Sequence, residues 1–358
     1  MDNFEYTSNP SRVIFGSGTI SQLPDELSRH KLTKPLLLST PRQTHYIEQL
    51  TQILNGFQVF TFTEAAMHTP VEITERAVEH AKSVGADSVV SFGGGSTIGL
   101  GKAISYRMGL YHITLPTTYS GSEVTSVLGE TKDGVKTTLK DDKVLPGTVI
   151  YDVDFTLSLP RDICTVSGVN AIAHAVEALY AEETNPIVTM MAQEGVRALA
   201  ASLPDIVNEA TDTKEARTKA LYGAWLCGTC LGGVSMALHH KLCHALGGTL
   251  GLPHAETHTI VLPHALSYNA PKVKTAMDKL AEVLPGSDGD AVKGLNMLLD
   301  RLRVKRSLKE LGMKEEDVER VTAVAMKAMY WNPREVEEGG VREILRRAWA
   351  GEDARTDF

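Results

Sequence analysis

The first 150 residues alternate short apolar runs with amphipathic helical patterns, and this alternation constrains the fold more than any other feature. It predicts a parallel sheet with helices on both faces. The strand-like runs are almost continuously apolar, as expected when both faces of a sheet are buried. Predicted strands occupy residues 34–40, 57–62, 87–95 and 111–118, and predicted helices occupy residues 44–54, 70–85 and 96–108.

The pattern changes near Pro160. Residues 128–160 indicate a hairpin and a connecting strand, and from Ser167 onward the sequence shows helical periodicity with almost no strand signal. A chain of 358 residues is long enough for about two domains. We therefore predict an α/β domain over residues 1–160 and an all-helical domain over residues 161–358.

The composition excludes several classes of function. The net charge of −8 and the lack of a long basic run argue against a nucleic-acid partner. The N-terminal segment lacks the layout of a signal peptide, and no apolar run reaches the roughly 18 residues that a membrane span needs. We expect a cytoplasmic protein without a membrane partner. Cys227 and Cys230 form a C-x-x-C pair in a long apolar segment, which favours buried helix cysteines over a redox or metal pair.

Three consecutive glycines lie between a predicted strand and a predicted helix. Glycines there let the backbone approach a ligand closely, and the helix N-terminus offers free N–H groups to an anion. Ser96 could cap that helix and bond a phosphate oxygen. The next strand ends in a second turn rich in glycine and hydroxyl groups, at the edge where α/β sheets bind ligands. We predict a Rossmann-like dinucleotide site with the binding residues Gly93, Gly94, Gly95, Ser96, Thr97, Thr117, Thr118 and Ser122.

The end of the first predicted strand bears on the choice of dinucleotide. Ser39 and Arg42 lie there, without an acidic residue to select a free ribose 2′-hydroxyl. Arg42 could meet a 2′-phosphate, or it could be a surface arginine beside a capping serine. We include Ser39 and Arg42 among the candidate binding residues and expect the protein to use NADH or NADPH.

Six of the twelve histidines fall within residues 239–264, and a seventh, His174, lies on an upstream helical pattern. His240 and His244 are four residues apart, as are Asn170 and His174, so each pair shares one face of a helix. Imidazoles clustered in an apolar setting must be hydrogen-bonded, and they titrate near neutral pH. The spacing predicts a histidine-lined pocket, which is either a metal site or a metal-free site for acid/base chemistry and anion binding.

Several segments in order resemble one family. GGGS followed by GKAIS, then PTTYSGSEVTS, then the spacing of His240, His244 and His254 together resemble the iron-containing (group III) alcohol dehydrogenases over nearly the whole chain. Within that family, AAMHTPVE, GGGSTIGLGKAI, LPTTYSGSE, KTTLKDDKVLPGTVIYD and WNPRE are similar to maleylacetate reductases. The resemblance implies a dehydroquinate synthase-like fold and a homodimer. It also implies reduction of maleylacetate, or a substituted maleylacetate, to 3-oxoadipate in bacterial degradation of aromatic compounds.

The resemblance also bears on a metal. Metal-dependent members carry an Asp-x-x-x-His pair where this chain has Asn170 and His174, and their other ligands would fall on His240 and His254. An amide cannot supply the anionic oxygen that a hard divalent cation favours, although three imidazoles could still hold zinc. We expect activity without a metal, as the resemblance to maleylacetate reductases implies. A metal-dependent alcohol or polyol dehydrogenase is the alternative.

A metal-free site must stabilise the enolate of the substrate with hydrogen-bond donors or an imidazolium. The candidate catalytic residues are His244, as the general acid, with His240, His174, His254, Tyr119 and Asn170. No role follows from the sequence for His239, His258 and His264. The substrate is a small dicarboxylate whose carboxylates need cations or amide donors, for which Arg334, Lys136 and Lys140 are candidates. A non-catalytic nucleotide sensor is a third possibility, and the spaced histidine set argues against it.

Overall fold

The computed structural model describes residues 4–9, 11–132, 135–208 and 213–358. Contacts between residues divide the chain into two units, one spanning Ser8–Leu159 and the other Pro160–Phe358 with residues 4–7. We call them the α/β unit and the helical unit. Their assignment to dinucleotide binding and to catalysis stays a prediction.

A six-stranded sheet forms the centre of the α/β unit. The strands are β1 (Arg12–Gly16), β2 (Pro35–Leu38), β3 (Phe60–Phe62), β4 (Ser88–Gly93), β5 (Tyr111–Pro116), β6 (Val127–Lys132), β7 (Val135–Lys140) and β8 (Thr148–Asp152). The helices are α1 (Leu23–Arg29), α2 (Thr44–Ile53), α3 (Val71–Val84) and α4 (Gly95–Met108). β6 and β7 form a separate antiparallel hairpin, and the other strands have the order β1-β8-β5-β4-β2-β3. Every pairing in the larger sheet is parallel, so the predicted parallel α/β sheet is confirmed.

The two faces of this sheet carry separate apolar clusters. Successive strand residues point to opposite faces. Leu37 packs with residues of α1 and α2 that include Leu27 and Leu50. Leu36 and Leu38 pack on the other face with residues of α3 and α4. Both faces of β2 are therefore covered, in agreement with the continuously apolar sequence from which this strand was predicted.

The sequence patterns miss β1 and α1, and they predict β8 only as a connection. In the structure β8 lies inside the sheet, between β1 and β5. The glycine-rich turn therefore follows the fourth strand rather than the third, and Ser39 follows the second. The strand predicted over residues 57–62 forms only at Phe60–Phe62, because β3 is an edge strand with a single neighbour.

The helical unit follows β8. Its helices are α5 (Arg161–Ala178), α6 (Pro186–Val207), α7 (Thr213–Gly233), α8 (Leu238–Leu250), α9 (His254–Asn269), α10 (Lys274–Val283), α11 (Ala291–Leu302), α12 (Asp317–Met326) and α13 (Glu338–Ala350). The part of this unit that the structure describes contains no strand, so the prediction of an all-helical second domain is confirmed. Among the described residues no single helix is long and apolar enough to cross a membrane. Taken together, α7 and α8 have the length and composition of a membrane span, but a bend of 94° separates them.

Cys227 and Cys230 are free and buried in α7, as the apolar sequence around them predicts. Burial raises the pKa of both thiols, that of Cys230 to about 12. Because the thiolate is the reactive form of cysteine, both groups are inert near neutral pH.

Candidate active site

The carboxyl ends of β2, β4 and β5 lie side by side in the sheet. Ser39 directly follows β2, Gly93 ends β4, and Thr117 directly follows β5. The Thr117 N–H donates to the Gly93 carbonyl at 3.0 Å. The structure thus brings the predicted dinucleotide-binding turns to one edge of the α/β unit.

The first two glycines of the turn are required by close contacts. Gly93 has φ +148°, and a Cβ there would lie 2.5 Å from Thr97 Oγ1. A Cβ at Gly94 would lie 2.8 Å from Thr118 Oγ1. Two threonine side chains therefore pack directly on the glycine backbone. Thr97 Oγ1 is buried and has no hydrogen-bond partner within the described part of the chain.

The prediction that Ser96 caps the helix is wrong. α4 begins at Gly95 with Gly94 as its N-cap residue, so Ser96 is the second residue inside the helix. Since glycine has no side chain, the first N–H groups of α4 receive no side-chain cap from Gly94. A helix N-terminus of this kind suits an anion.

The remaining candidate binding residues differ in how accessible they are. The Ser39 side chain is fully buried and its hydroxyl donates to the Thr40 carbonyl at 3.2 Å. Arg42 is exposed, and Ser122 is half-buried with its N–H bonded to Ser120 Oγ.

Lys102, which the sequence did not single out, lies in α4, the helix that follows the glycine-rich turn. It is fully buried, and its Nζ donates to the carbonyl and Oγ1 of Thr125 at 2.7 and 2.9 Å and to the Val127 carbonyl at 2.8 Å. Burial lowers the pKa of Lys102 to about 7, although the charge of Glu123 acts to raise it. These bonds fix α4 against the first residue of β6 and the segment that precedes it.

In the helical unit, α5, α8 and α9 bring imidazole rings into mutual contact. Ring centroids are 5.2 Å apart for His174 and His240, 4.8 Å for His240 and His258, and 4.1 Å for His254 and His258. His244 is 6.2 Å from His240 and 6.4 Å from His254. We call this set the histidine cluster, and its members are His174, His239, His240, His244, His254 and His258.

Glu177, in the last turn of α5, organises the start of α8. Its carboxylate accepts the N–H groups of Ala237 at 2.9 Å, His239 at 2.7 Å and His240 at 3.4 Å, together with His240 Nδ1 at 2.7 Å. Burial raises the pKa of Glu177, but the bonds from His240 and these N–H groups lower it to about 2. Glu177 is therefore an ionised, fully buried cap of α8, and it fixes the His240 ring.

The cluster runs from exposed to buried imidazoles. His244 and His254 are exposed, whereas His174, His239 and His258 are buried. Burial lowers the pKa of His174 and His258 well below the usual value. Burial also lowers the pKa of His239 to about 3, although the negative charge of Glu177 acts to raise it. These three rings are therefore neutral near pH 7.

His244 has a partner that the sequence did not indicate. Its Nδ1 lies 3.1 Å from the Tyr330 hydroxyl. Lys241 Nζ lies 5.5 Å from the centre of the Tyr330 ring, which places a cation beside this pair. Burial, with a smaller effect of Glu177, raises the pKa of Tyr330, so the phenol keeps its proton.

Some predicted residues join the cluster and others do not. Asn170 lies one turn before His174 on α5, and its buried Oδ1 has no hydrogen-bond partner among the described residues. Tyr119 is fully buried in the α/β unit. Arg334 stacks 4.1 Å from the centre of the Tyr268 ring and donates to the Tyr268 carbonyl, so it is engaged within the fold. The Lys136 side chain lies outside the described residues.

The sequence analysis gave no role to Glu177, His239 and His258, although two of them had a signal in their spacing. Glu177 follows His174 by three residues on the same helix, and His258 follows His254 by four, so each shares a face with a predicted residue. His239 had no such signal. Consecutive residues of a helix project about 100° apart, and the contact of His239 with His258 depends on how α8 and α9 pack.

The comparisons with known proteins identify the chain as an oxidoreductase, and it belongs to the iron-containing alcohol dehydrogenase family. Residues 10–153 match "Iron-containing alcohol dehydrogenase" and residues 164–349 match "Fe-containing alcohol dehydrogenase family, C-terminal". The chain is 50% identical to the maleylacetate reductase of Rhizobium sp. (strain MTP-10005) over 98% of this chain and 99% of that protein. It is 49% identical to the maleylacetate reductase of Sphingobium indicum over 97% and 98%. The crystal structure of maleylacetate reductase from Agrobacterium tumefaciens superposes with a TM-score of 0.94, at 47% identity over 99% and 100% of the chains.

The family name raises the question of a metal, and the residues at the expected ligand positions do not fit a hard divalent ion. The position of the anionic ligand holds Asn170, whose amide oxygen is neutral. Among the described residues, the histidine, cysteine and carboxylate atoms that converge within 4.8 Å of one another belong to His239, His240 and His258. His174 and His254 are not part of that convergent set.

Proposed function

We propose that the chain reduces the C=C bond of maleylacetate, or a substituted maleylacetate, to 3-oxoadipate with NADH or NADPH, in bacterial degradation of aromatic compounds. The observation that carries this proposal is the match of nearly the whole chain, at 49–50% identity, to proteins named maleylacetate reductase. The histidine cluster supports it because it offers proton donors beside a buried carboxylate.

The reaction, as we propose it, needs no metal. A bound NADH or NADPH supplies the hydride, which adds to the C=C bond conjugated to the ketone. Negative charge then develops on the ketone oxygen, and the chain stabilises it with hydrogen-bond donors of the cluster. The neutral amide of Asn170 and the neutral His174 ring suit this role, since both can donate an N–H.

His244 is the proposed general acid. In its protonated form the His244 ring carries a hydrogen on both nitrogens, and Nδ1–H donates to the Tyr330 hydroxyl oxygen 3.1 Å away. Nε2–H then gives its proton to the substrate carbon and leaves a neutral ring, and solvent restores the proton because His244 is exposed. Tyr330 is thus a positioning residue that acts through His244.

The dinucleotide is proposed to bind at the turns of the α/β unit, with its phosphates at the N-terminus of α4. The close packing of Gly93 and Gly94 and the exposed Arg42 support this placement. No acidic residue follows β2, so we propose that NADPH is accepted alongside NADH, with catalytic efficiencies within about tenfold. We also propose a cytoplasmic homodimer, which light scattering would detect at about twice the chain mass of 38.9 kDa.

The direct test is to follow the oxidation of NADH by the purified protein when maleylacetate is added. We expect turnover, and we expect exhaustive chelation to leave the rate unchanged. A tenfold loss of rate that zinc or iron restores would contradict the metal-free mechanism. No turnover with maleylacetate or its substituted forms would contradict the proposed function itself.

The role of His244 is tested by His244→Ala and Tyr330→Phe, with His80→Ala in the α/β unit as the control. General acid catalysis is worth roughly a hundredfold to ten-thousandfold. We expect His244→Ala to lower kcat at least a hundredfold with nearly unchanged NADH affinity. Tyr330→Phe should lower kcat less and shift the pH profile of kcat. If His244→Ala turns over within fivefold of the parent, another residue donates the proton.

A further inference from the structure

Three buried imidazoles of the cluster converge, and five of their six ring nitrogens have no hydrogen bond to a described residue. The ligand nitrogens of His239, His240 and His258 all lie within 4.8 Å of one another. Both ring nitrogens of His239, both of His258 and Nε2 of His240 are buried, and no described residue hydrogen-bonds to them. Buried polar atoms of this kind are costly unless a ligand or water meets them.

The protonation of His240 shows which kind of ligand fits. Its Nδ1 donates to the Glu177 carboxylate at 2.7 Å, so in the neutral ring Nε2 carries a lone pair. A lone pair repels an anion and binds a cation. A carboxylate that orients an imidazole from behind is also the usual support of a metal-ligating histidine.

We propose that His239, His240 and His258 bind a divalent transition-metal ion such as Zn²⁺, Ni²⁺ or Cu²⁺. This set shares only His240 with the ligand positions of metal-dependent relatives. Imidazole ligands favour these ions over Mg²⁺, Ca²⁺ and Mn²⁺, which prefer oxygen. Binding does not depend on the proposed reductase function, and the ion is not a catalytic cofactor.

Binding of the ion requires the three rings to move closer together. Two nitrogens bound to one Zn²⁺ at about 2.1 Å in a tetrahedral site lie about 3.4 Å apart, so the three rings must turn inward. His239 and His258 have no side-chain hydrogen bond to a described residue that would have to break first. The exposed His254 has its ring 4.1 Å from that of the buried His258, so the cluster extends to the surface.

Occupation of this site removes the lone pair of His240 from the cluster, so the ion is expected to inhibit any reaction there. The primary readout is nevertheless binding. Metal-free, full-length protein is titrated with Zn²⁺ by calorimetry, and the variants are His258→Gln, His239→Gln, His174→Gln and His254→Gln. His264→Gln is the matched control, because His264 is buried on α9 outside the convergent set.

We expect one ion per chain, at least a tenfold loss of affinity in His258→Gln and His239→Gln, and less than a threefold change in the other variants. Loss in His174→Gln and His254→Gln with unchanged binding in His258→Gln would overturn the proposal, as would no binding by the parent protein. Anomalous scattering from a Zn²⁺-soaked crystal of the parent needs no variant. It should place the ion about 2.1 Å from nitrogens of His239, His240 and His258, and a peak at His174 and His254 would refute the assignment.

Discussion

Glu177 is the carboxylate on which both the fold and the site of the helical unit depend, and Glu177→Gln tests it. The carboxylate accepts one N–H at Oε1 and three donors at Oε2. A glutamine keeps one oxygen and turns an NH₂ group toward donors, so at least one buried N–H of Ala237, His239 or His240 loses its acceptor. An orphaned buried donor costs roughly 1–3 kcal/mol, and loss of the charge adds to that cost.

A second route gives a similar magnitude. A carboxyl whose pKa falls from 4.5 to about 2 on folding stabilises the native state by about 3 kcal/mol near neutral pH. Because the folded pKa is the lower one, this stabilisation is present above pH 4.5 and is lost as the pH falls toward 2. We therefore expect Glu177→Gln to lower the free energy of unfolding by about 3 kcal/mol at pH 7.

The assay is urea denaturation followed by tryptophan fluorescence, since Trp225, Trp331 and Trp349 all lie in the helical unit. Glu183→Gln is the matched control, because Glu183 is an exposed carboxylate that accepts the N–H and hydroxyl of Ser235. We expect the control to change stability by less than about 0.5 kcal/mol. A loss below 1 kcal/mol in Glu177→Gln would refute the conclusion that this carboxylate anchors α8.

Two further predictions concern stability. The pKa of His239 is about 3 in the folded chain, so the unfolded chain takes up the extra proton below pH 6.5. Stability should fall from pH 6.5 toward pH 3 in urea titrations, and an equal fall in His239→Gln would contradict this cause. Gly101→Ala would place a Cβ 2.1 Å from Ser91 Oγ and should destabilise the folded protein by about 1–3 kcal/mol. Gly247→Ala on α8 would place a Cβ that meets no atom within 4 Å, and it should stabilise the folded protein by about 0.5–1 kcal/mol. Thermal unfolding separates the two, and equal signs would refute the packing argument.

The sequence predicted the elements whose signal is local. β2, β4 and β5 are apolar runs buried on both faces, and their strand character is visible without knowing their neighbours. β1 was missed because it pairs only with β8, with Arg12 opposite Thr148. A five-residue strand stabilised by a partner so distant in the chain has little local pattern to reveal it.

The same distinction holds for the site. The four histidines predicted from their spacing do meet in the structure. The i to i+4 spacing places His240 and His244 on one face of α8, whereas the contacts of His174 and His254 depend on how α5 and α9 pack against α8. The role of Glu177 is set by Ala237 and His239, about 60 residues later, and no periodicity within α5 shows it. The misassigned cap at Ser96 has a related cause, since Thr118 packs on Gly94 and fixes where α4 begins.

The histidine cluster costs the fold stability, and that cost is an argument for function. Each buried imidazole nitrogen without a partner lowers stability by about 1–3 kcal/mol, and apolar residues of similar volume in such positions are often neutral or stabilising. His240 recovers part of the cost through its bond to Glu177. His239 and His258 recover none from the described residues. Selection for stability alone would replace these two rings first, so their presence between α5, α8 and α9 indicates that their nitrogens bind something the chain itself does not supply.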